Sequence, residues 1–187
     1  GDVGHTLVLG PTGAGKSAVA KAGMAVWGDP AAFAQMAVGN NATPLSLFTM
    51  AGIRHNLPML LDETTDWLPE KLSDFIYTYS SGRAKTQALP NGYLRDNSHL
   101  NWSNFCYFTS NRMASNVVYS TRSNSEAIAA RIFEIEFPQM MFDSNNQALF
   151  AELNTNSGTA GVRFIEQVVK RKHVALTAIR HYQSKLR

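Results

Sequence analysis

Residues 10–17 read Gly10-Pro11-Thr12-Gly13-Ala14-Gly15-Lys16-Ser17 and fit the pattern G-x-x-x-x-G-K-[ST] at every defined position. The apolar run Thr6–Leu9 before them is typical of a buried strand, and Ser17–Val26 after them is rich in helix-favouring residues. Glycines between a strand and a helix let the main chain curl with its N–H groups inward, where they bind anions at the positive end of the helix dipole. The stretch therefore predicts a loop for nucleotide phosphates, with Lys16 on the β- and γ-phosphates and Ser17 on Mg²⁺.

A second apolar run, Met59–Leu61, ends in the acids Asp62 and Glu63. The carboxyl ends of parallel strands meet at one edge of a sheet, which is also the edge that carries the phosphate loop. Asp62 would there be the anionic outer partner of Mg²⁺, and Glu63 would polarise the attacking water. Two solvated acids at the end of an ordinary strand are the alternative. Beside a complete phosphate loop, the pair favours hydrolysis of the nucleotide over phosphoryl transfer to a small acceptor.

Asn111 is a candidate for positioning the lytic water. It follows Asn104–Thr109, an aromatic run that favours a strand. If that strand is parallel to the other two, the Asn111 amide lies at the same edge of the sheet and could also sense the γ-phosphate. An asparagine in a simple turn is the alternative.

Arg131 is the fourth candidate catalytic residue, with Lys16, Glu63 and Asn111. It directly precedes Ile132–Phe137, in which apolar and acidic residues alternate as in a strand with one wetter face. In a ring of subunits, Arg131 could reach a neighbour's γ-phosphate as an arginine finger. In a monomer it would be a surface arginine. Two other residues could take the finger's place, namely Arg112 and Arg122.

Strands and helices alternate along the chain, which predicts an α/β protein with a mostly parallel sheet covered on both faces. Further helices are predicted over Leu45–His55, Leu68–Tyr79, Ala127–Arg131 and from Gln147 to the end, and a further strand over Phe33–Val38. Pro90-Asn91-Gly92 between two strand-like arms predicts a β-hairpin over 84–96. We expect an ATPase core over 1–138 and a small helical segment over 139–187.

Composition narrows the class of protein. The chain has 187 residues, of which 44% are hydrophobic and 17% charged, and this excludes a disordered chain. The single cysteine, Cys106, excludes an internal disulfide framework and any multi-cysteine zinc site. No apolar run approaches the roughly 18–20 residues of a membrane helix, and no signal peptide is visible. We therefore expect no membrane partner and a cytoplasmic location, in a bacterial or phage-infected cell, for a piece of a longer protein.

The motifs resemble those of the AAA+ ATPases of the additional-strand, catalytic-glutamate type. Within that group, the chain is most similar to the superfamily 3-like helicase domains of phage and plasmid replication proteins. The resemblance covers about residues 5–165, and Asn41–Glu63 and Ser81–Lys85 are similar to blocks of the phage primase–helicase group. The matching motifs are Walker A at Gly10–Ser17, Walker B at Leu60–Glu63, sensor 1 at Thr109–Asn111 and the arginine-finger segment at Ala129–Phe133.

The resemblance implies a P-loop NTPase fold, a three-layer sandwich with a mostly parallel five-stranded sheet in which the Walker A and Walker B strands flank the sensor 1 strand. It also implies a β-hairpin insertion before sensor 1 and a hexameric ring that binds ATP and Mg²⁺ at subunit interfaces. The chain would then be the motor of a DNA helicase or translocase in replication. Met140–Gly161 is short for a complete helical lid, so a role of Arg163 as a second sensor stays open.

Nucleic acid is the expected partner of the hairpin, because the hairpin of superfamily 3-like rings lines the pore. Basic residues there would hold phosphates without reading sequence, and Tyr93 or His99 could stack on bases. A surface hairpin with solvated charges is the alternative. A second candidate is 167–187, which has six basic residues and no acid. The candidate contacts to single-stranded DNA are Arg83, Lys85 and Arg95.

Two other functions remain open. An AAA+ protein-remodelling or assembly ATPase would grip polypeptide rather than nucleic acid, and aromatic pore loops would favour it. A small-molecule P-loop kinase would work as a monomer without an arginine from a neighbour. The response of the ATPase to DNA separates the first from a helicase, and the particle size with ATP separates the second.

Overall fold

The computed structural model describes residues 5–36, 42–88, 93–95, 100–113, 125–137 and 147–185. Their strands are β1 (His5–Leu9), β2 (Ala34–Met36), β3 (Met59–Asp62), β4 (Gln87–Ala88), β5 (Leu94–Arg95), β6 (Cys106–Ser110) and β7 (Ile132–Glu136). Five of them form one sheet in the order β2-β3-β6-β1-β7, and every neighbouring pair is parallel. The predicted α/β class and parallel sheet are confirmed.

The position of β6 decides where the site lies. β6 pairs with β1 on one side, with His5 opposite Cys106, and with β3 on the other, with Met59 opposite Cys106. The three strands therefore start level and run the same way. Their carboxyl ends, which carry the glycine-rich loop Gly10–Ser17, Asp62 and Asn111, meet at one edge of the sheet. This order agrees with the expectation that the strand before Asn111 lies between the other two.

The described helices are α1 (Lys16–Ala25), α2 (Pro30–Phe33), α3 (Pro44–Arg54), α4 (Pro69–Ser80), α5 (Ser125–Ala129), α6 (Gln147–Thr155), α7 (Thr159–Lys170) and α8 (Lys172–Lys185). The bounds of α1 and of the helices predicted over Leu45–His55, Leu68–Tyr79 and Ala127–Arg131 lie within about two residues of the prediction. The helical region predicted from Gln147 onward is divided into α6, α7 and α8. Pro30 begins α2, because proline fits the first turn of a helix. α7 and α8 meet at Arg171.

Side chains from the two faces of the sheet form two clusters, which makes the fold three-layered. On one face, Leu60 packs with Ala20 and Met24 of α1. On the other face, Leu61 and its neighbours pack against α3 and α4. The ring of Phe48 on α3 is stacked against those of Phe75 (centroids 5.5 Å apart) and Trp102 (5.7 Å apart). Cys106 and Trp102 are buried in this second cluster.

The hairpin lies between α4 and β6, as predicted. β4 and β5 are antiparallel, with Gln87 opposite Arg95. Its predicted turn, Pro90–Gly92, lies outside the described residues. At its base, the Ala84 N–H donates to Leu100 O (3.0 Å) and the Trp102 N–H donates to Gly82 O (2.8 Å). Trp102 Nε1 also donates to Tyr79 O (2.8 Å), which fastens this base to the end of α4.

The amino-terminal turn of α7 docks on the carboxyl end of α1. The N–H groups of Gly158 and Gly161 donate to Ala25 O and Val26 O, both at 2.7 Å. The approach is so close that a Cβ on Gly161 would lie 2.5 Å from Val26 O. The free N–H groups of one helix thereby satisfy the free carbonyls of the other. None of the helices in the described segments is both long and apolar enough to cross a membrane.

Candidate nucleotide-binding site

The glycine-rich loop has the backbone that an anion-binding loop needs. Gly15 adopts a left-handed conformation (φ 89°) directly before α1, and the first N–H groups of α1 have no carbonyl partner within the helix. Gly10 passes so close to the backbone that follows β7 that a Cβ on Gly10 would lie 2.5 Å from Phe137 O. The loop therefore excludes side chains where it turns and presents main-chain N–H groups at the positive end of α1.

Lys16 is held in the loop by three acceptors. Its Nζ donates to Gly10 O and Pro11 O, each at 2.8 Å, and to Asn111 Oδ1 at 2.7 Å. Because an ammonium has three N–H donors, this set satisfies all of them. Burial lowers the pKa of Lys16, and the charges of Glu63 and Asp62 oppose that shift. The ammonium thus lies between the loop and the two acids, where phosphate oxygens can replace one or more of its acceptors.

Asp62 joins three elements at the end of β3. Its Oδ1 accepts from Ser17 Oγ (2.6 Å) on α1 and from Thr109 Oγ1 (2.7 Å) on β6. Its Oδ2 lies 3.6 Å from Lys21 Nζ. This arrangement brings the hydroxyl and the carboxylate predicted for Mg²⁺ into direct contact. A hydroxyl beside a carboxylate is a donor set that fits Mg²⁺, because that ion prefers oxygen ligands.

The rest of a Mg²⁺ coordination shell would have to come from elsewhere. In the described part of the chain, no cluster of three His, Cys, Asp or Glu side chains could hold a metal alone. Mg²⁺ commonly binds through one or two protein ligands, with substrate phosphates and waters completing its shell. Ser17 and Asp62 meet that requirement next to the glycine-rich loop.

Glu63 has an unusual backbone conformation. Its φ is 66°, a value that residues other than glycine rarely adopt. Its N–H donates to Thr109 Oγ1 at 2.8 Å, and the next residue, Thr64, donates to Thr109 O through both its N–H (2.9 Å) and its Oγ1 (3.1 Å). The strained turn at Glu63 is therefore tied to the end of β6.

Asn111 is held on both its main chain and its side chain. Its N–H donates to Thr65 Oγ1 (2.9 Å), while its Oδ1 accepts from Lys16. Its Nδ2 lies 3.4 Å from Thr12 Oγ1 of the loop. These contacts place the Asn111 amide at the site edge beside the loop, where the sequence predicts it.

Arg131 lies at the other end of the sheet from the loop. It directly precedes β7, whose first residue is level with His5, whereas the loop begins after Leu9. Five strand residues separate the two levels, which corresponds to about 17 Å. Arg131 Nη1 donates to Ala127 O, and its guanidinium lies over the Tyr77 ring, 5.6 Å from the centroid. The fold of one chain therefore does not bring Arg131 to its own glycine-rich loop.

The other candidate arginines lie in three different places. Arg112 is exposed and directly follows Asn111 at the site edge. Arg122 lies outside the described residues. Arg163 is exposed on α7, two residues after Gly161, which docks at the carboxyl end of α1. Because α1 has ten residues, that end is about 15 Å from the loop, and the described fold does not place Arg163 beside Lys16.

The three basic candidates for nucleic-acid contact lie along the hairpin. Arg83 is exposed at its base, where it forms an antiparallel bridge with Asn101. Lys85 forms an ion pair with Asp74 on α4, and both side chains are more than half exposed. Arg95 lies on β5, opposite Gln87.

Several contacts of the site were missed from the sequence, although Thr109 itself lies in the segment that resembles sensor 1. The segment after β3 is joined to the end of β6 by hydrogen bonds of Thr109, Thr64 and Thr65. Nothing local in the sequence indicates these pairings. Lys21 could have been found, because it lies four residues after Ser17 and therefore on the same face of α1.

Comparisons with known proteins give one matching family and a solved structure of similar fold. Residues 5–99 match the family described as the domain of unknown function DUF927. No curated protein matches the chain. The chain is similar to a solved structure titled "SCCmec type IV Cch - active helicase", with a TM-score of 0.68 and 18% identity. The similarity covers 94% of this chain and 31% of that one, so this chain spans about a third of that protein's length. The likeness shows a helicase-like fold.

Proposed function

The chain belongs to the DUF927 family, and we propose that it binds ATP with Mg²⁺ and hydrolyses it as the motor domain of a DNA helicase or translocase. The observation that carries the proposal is the contact set of Lys16. Its ammonium joins the glycine-rich loop to the amide of Asn111, beside a hydroxyl–carboxylate pair from Ser17 and Asp62. A loop for phosphates, a pair for the metal and a second acid are what nucleotide hydrolysis requires.

Each of these side chains has a distinct task. The loop N–H groups and Lys16 bind the phosphate oxygens and compensate the charge that builds up on them. Glu63 accepts a proton from the water that attacks the γ-phosphorus, and Asn111 orients that water. Ser17 and Asp62 would hold Mg²⁺, which when bound neutralises charge on the β- and γ-phosphates.

A ring of subunits accounts for the placement of Arg131. An arginine at the opposite end of the sheet cannot serve its own loop, but in a head-to-tail ring it can approach the loop of the next subunit. We propose that Arg131 acts there as an arginine finger in a ring, with a hexamer as the expected size. Residues 1–138 would form the ATPase core, and 139–187 a small helical segment.

Single-stranded DNA is the proposed substrate of movement, with the hairpin as its contact. Arg83, Lys85 and Arg95 would bind phosphates of the strand. Since Lys85 pairs with Asp74, a DNA phosphate must compete with that carboxylate. The structural similarity to a protein titled as an active helicase supports this choice over a protein-remodelling ATPase.

The first experiment tests nucleotide chemistry with two variants and a matched control. We expect Lys16→Ala to abolish binding of a fluorescent ATP analogue. We expect Glu63→Gln to keep binding and to lower the ATPase rate at least about 100-fold. Glu152→Gln, which removes an exposed acid on α6, should match the wild type. ATP hydrolysis that is equal in Lys16→Ala and the wild type would refute the proposed activity.

The second experiment tests the ring and the DNA. Arg131→Ala and Glu63→Gln should each be inactive, and an equal mixture should recover about a quarter of the wild-type rate, since about a quarter of random interfaces pair an intact site with an intact finger. Single-stranded DNA should stimulate the wild-type ATPase, and this stimulation should weaken in Arg83→Ala. A rate that does not respond to DNA but responds to unfolded polypeptide would favour the protein-remodelling ATPase.

A further inference from the structure

Thr109 makes hydrogen bonds to three consecutive residues at the end of β3. Its hydroxyl donates to Asp62 Oδ1 (2.7 Å) and accepts from the Glu63 N–H (2.8 Å). Its carbonyl accepts from the N–H and from the Oγ1 of Thr64. The residue is 1% exposed, so these contacts are shielded from water.

The hydroxyl of Thr109 connects the two acids of the site. Asp62 accepts the hydrogen bond from Thr109 on Oδ1, the oxygen that also accepts from Ser17. Its other oxygen, Oδ2, therefore faces Lys21. The other acid, Glu63, has its main chain held at φ 66°, which a side chain normally disfavours. A single oxygen atom thus fixes the carboxylate of one acid and the backbone of the other.

The regular sheet does not provide this connection. The ladder between β3 and β6 ends at Leu61 opposite Phe108. Beyond that point, Asp62 and Glu63 are linked to β6 through Thr109, and Thr65 continues the link by accepting from the Asn111 N–H. The chain after β6 that carries Asn111 and the chain after β3 that carries the acids are therefore joined side by side.

We propose that Thr109 is a positioning residue for the hydrolysis reaction, whose hydroxyl sets Asp62 and Glu63 in one common arrangement toward the nucleotide and its metal. This inference rests on the proposed ATPase function and adds to it a residue that touches neither substrate nor metal. Residues that orient metal ligands typically contribute about 10- to 100-fold in metal affinity or activity.

Two variants separate the hydroxyl from the methyl group. Thr109→Val keeps the shape and loses the hydroxyl, whereas Thr109→Ser keeps the hydroxyl and loses the methyl group. Four quantities are measured on the full chain: binding of a fluorescent ATP analogue without Mg²⁺, the Mg²⁺ concentration for half-maximal stimulation of that binding, kcat with KM, and the midpoint of thermal unfolding. If Thr109→Val does not fold, Thr109→Ala is compared with Thr109→Ser, because these two variants also differ by one hydroxyl.

We expect Thr109→Val to bind the analogue without Mg²⁺ within about twofold of the wild type. Its Mg²⁺ half-saturation should rise about 10-fold and its kcat should fall at least about 10-fold, with KM changed much less. Thr109→Ser should restore both to within about threefold. A Thr109→Val protein with wild-type half-saturation and kcat would overturn the inference. A loss in Thr109→Ser as large as in Thr109→Val would overturn it too, because Ser keeps the hydroxyl and the loss would then not come from the missing hydroxyl.

The Mg²⁺ readout keeps this test distinct from the test of hydrolysis. If the wild type hydrolyses no more ATP than Lys16→Ala, the proposed activity fails, and the Mg²⁺ half-saturation then decides the role of Thr109 at Asp62. If the wild type hydrolyses ATP and Thr109→Val does so at the same rate and the same Mg²⁺ half-saturation, the activity stands and the positioning role fails.

Discussion

Gly161→Ala should destabilise the protein, although alanine is the better helix former. Gly161 lies in the first turn of α7, where its N–H donates to Val26 O at 2.7 Å. A Cβ there would lie 2.5 Å from that same oxygen and 2.8 Å from Trp27 Cε3. The clash is with backbone and an aromatic ring, which do not move aside as the end of a flexible side chain would.

The loss of stability can be estimated from the two ways in which the structure could accommodate the added Cβ. Moving α7 off α1 weakens the hydrogen bonds of Gly158 and Gly161, each of which contributes about 1 kcal/mol to stability. Leaving α7 in place instead forces an overpacked contact that costs about 1–3 kcal/mol. Alanine regains about 1 kcal/mol of helix propensity. We expect a net loss of about 1–2 kcal/mol in the free energy of unfolding, and a fall in the midpoint of thermal unfolding of roughly 2–8 °C.

The assay is urea and thermal unfolding followed by tryptophan fluorescence, because Trp27 lies at the contact. Gly23→Ala is the matched control. Gly23 lies inside α1 with nothing within 4 Å of its added Cβ, so the same substitution should stabilise by about 0.5–1 kcal/mol. Opposite signs at the two glycines are the expected result. A Gly161→Ala protein as stable as the wild type would show that α7 does not dock on α1 in this way.

Three further outcomes follow from buried and exposed groups. Burial lowers the pKa of His5 from 6.5 to about 4. As the pH falls, the unfolded chain therefore binds a proton at this histidine before the folded chain does. The free energy of unfolding should fall by about 3 kcal/mol between pH 6.5 and pH 4. Urea titrations at several pH values should show this slope in the wild type and a flatter one in His5→Asn. Cys106 is fully buried and burial raises its pKa, so a thiol reagent should modify it only when urea unfolds the chain. The ion pair of Lys85 with Asp74 is exposed, so a double-mutant cycle in 0.15 M salt should give a coupling below about 1 kcal/mol.

The parts of the fold that the sequence predicts are those with local causes. The glycine-rich loop, the apolar runs of β1 and β3 and the helix over Pro69–Ser80 each have a signal within about a dozen residues, and each lies where that signal predicts. The hairpin also has a local signal, in Pro90–Gly92 between its two arms. Its place before β6 follows from chain order alone.

The parts that the sequence does not predict depend on pairs of residues far apart in the chain. Thr109 contacts Asp62 and Glu63 across 47 and 46 residues, and nothing in the neighbourhood of any of them indicates which hydroxyl the acids will meet. The hydrogen bond between Gly161 and Val26 joins residues that are even farther apart in the chain. The left-handed backbone of Glu63 runs against local preference altogether, because a glutamate favours φ below zero. Such a conformation becomes visible only once its tertiary partners are known.

Helix α4 connects the two edges of the sheet. It begins six residues after Glu63, beyond the carboxyl end of β3, and its last residue, Ser80, has its Oγ 2.8 Å from His5 Nε2 at the amino end of β1. Twelve helical residues span about 18 Å, which matches the length of the strands that they cross. Arg131 reaches the same helix through the ring of Tyr77. The acids of the site thus lie just before one end of this helix, and the base of the hairpin lies just after the other end.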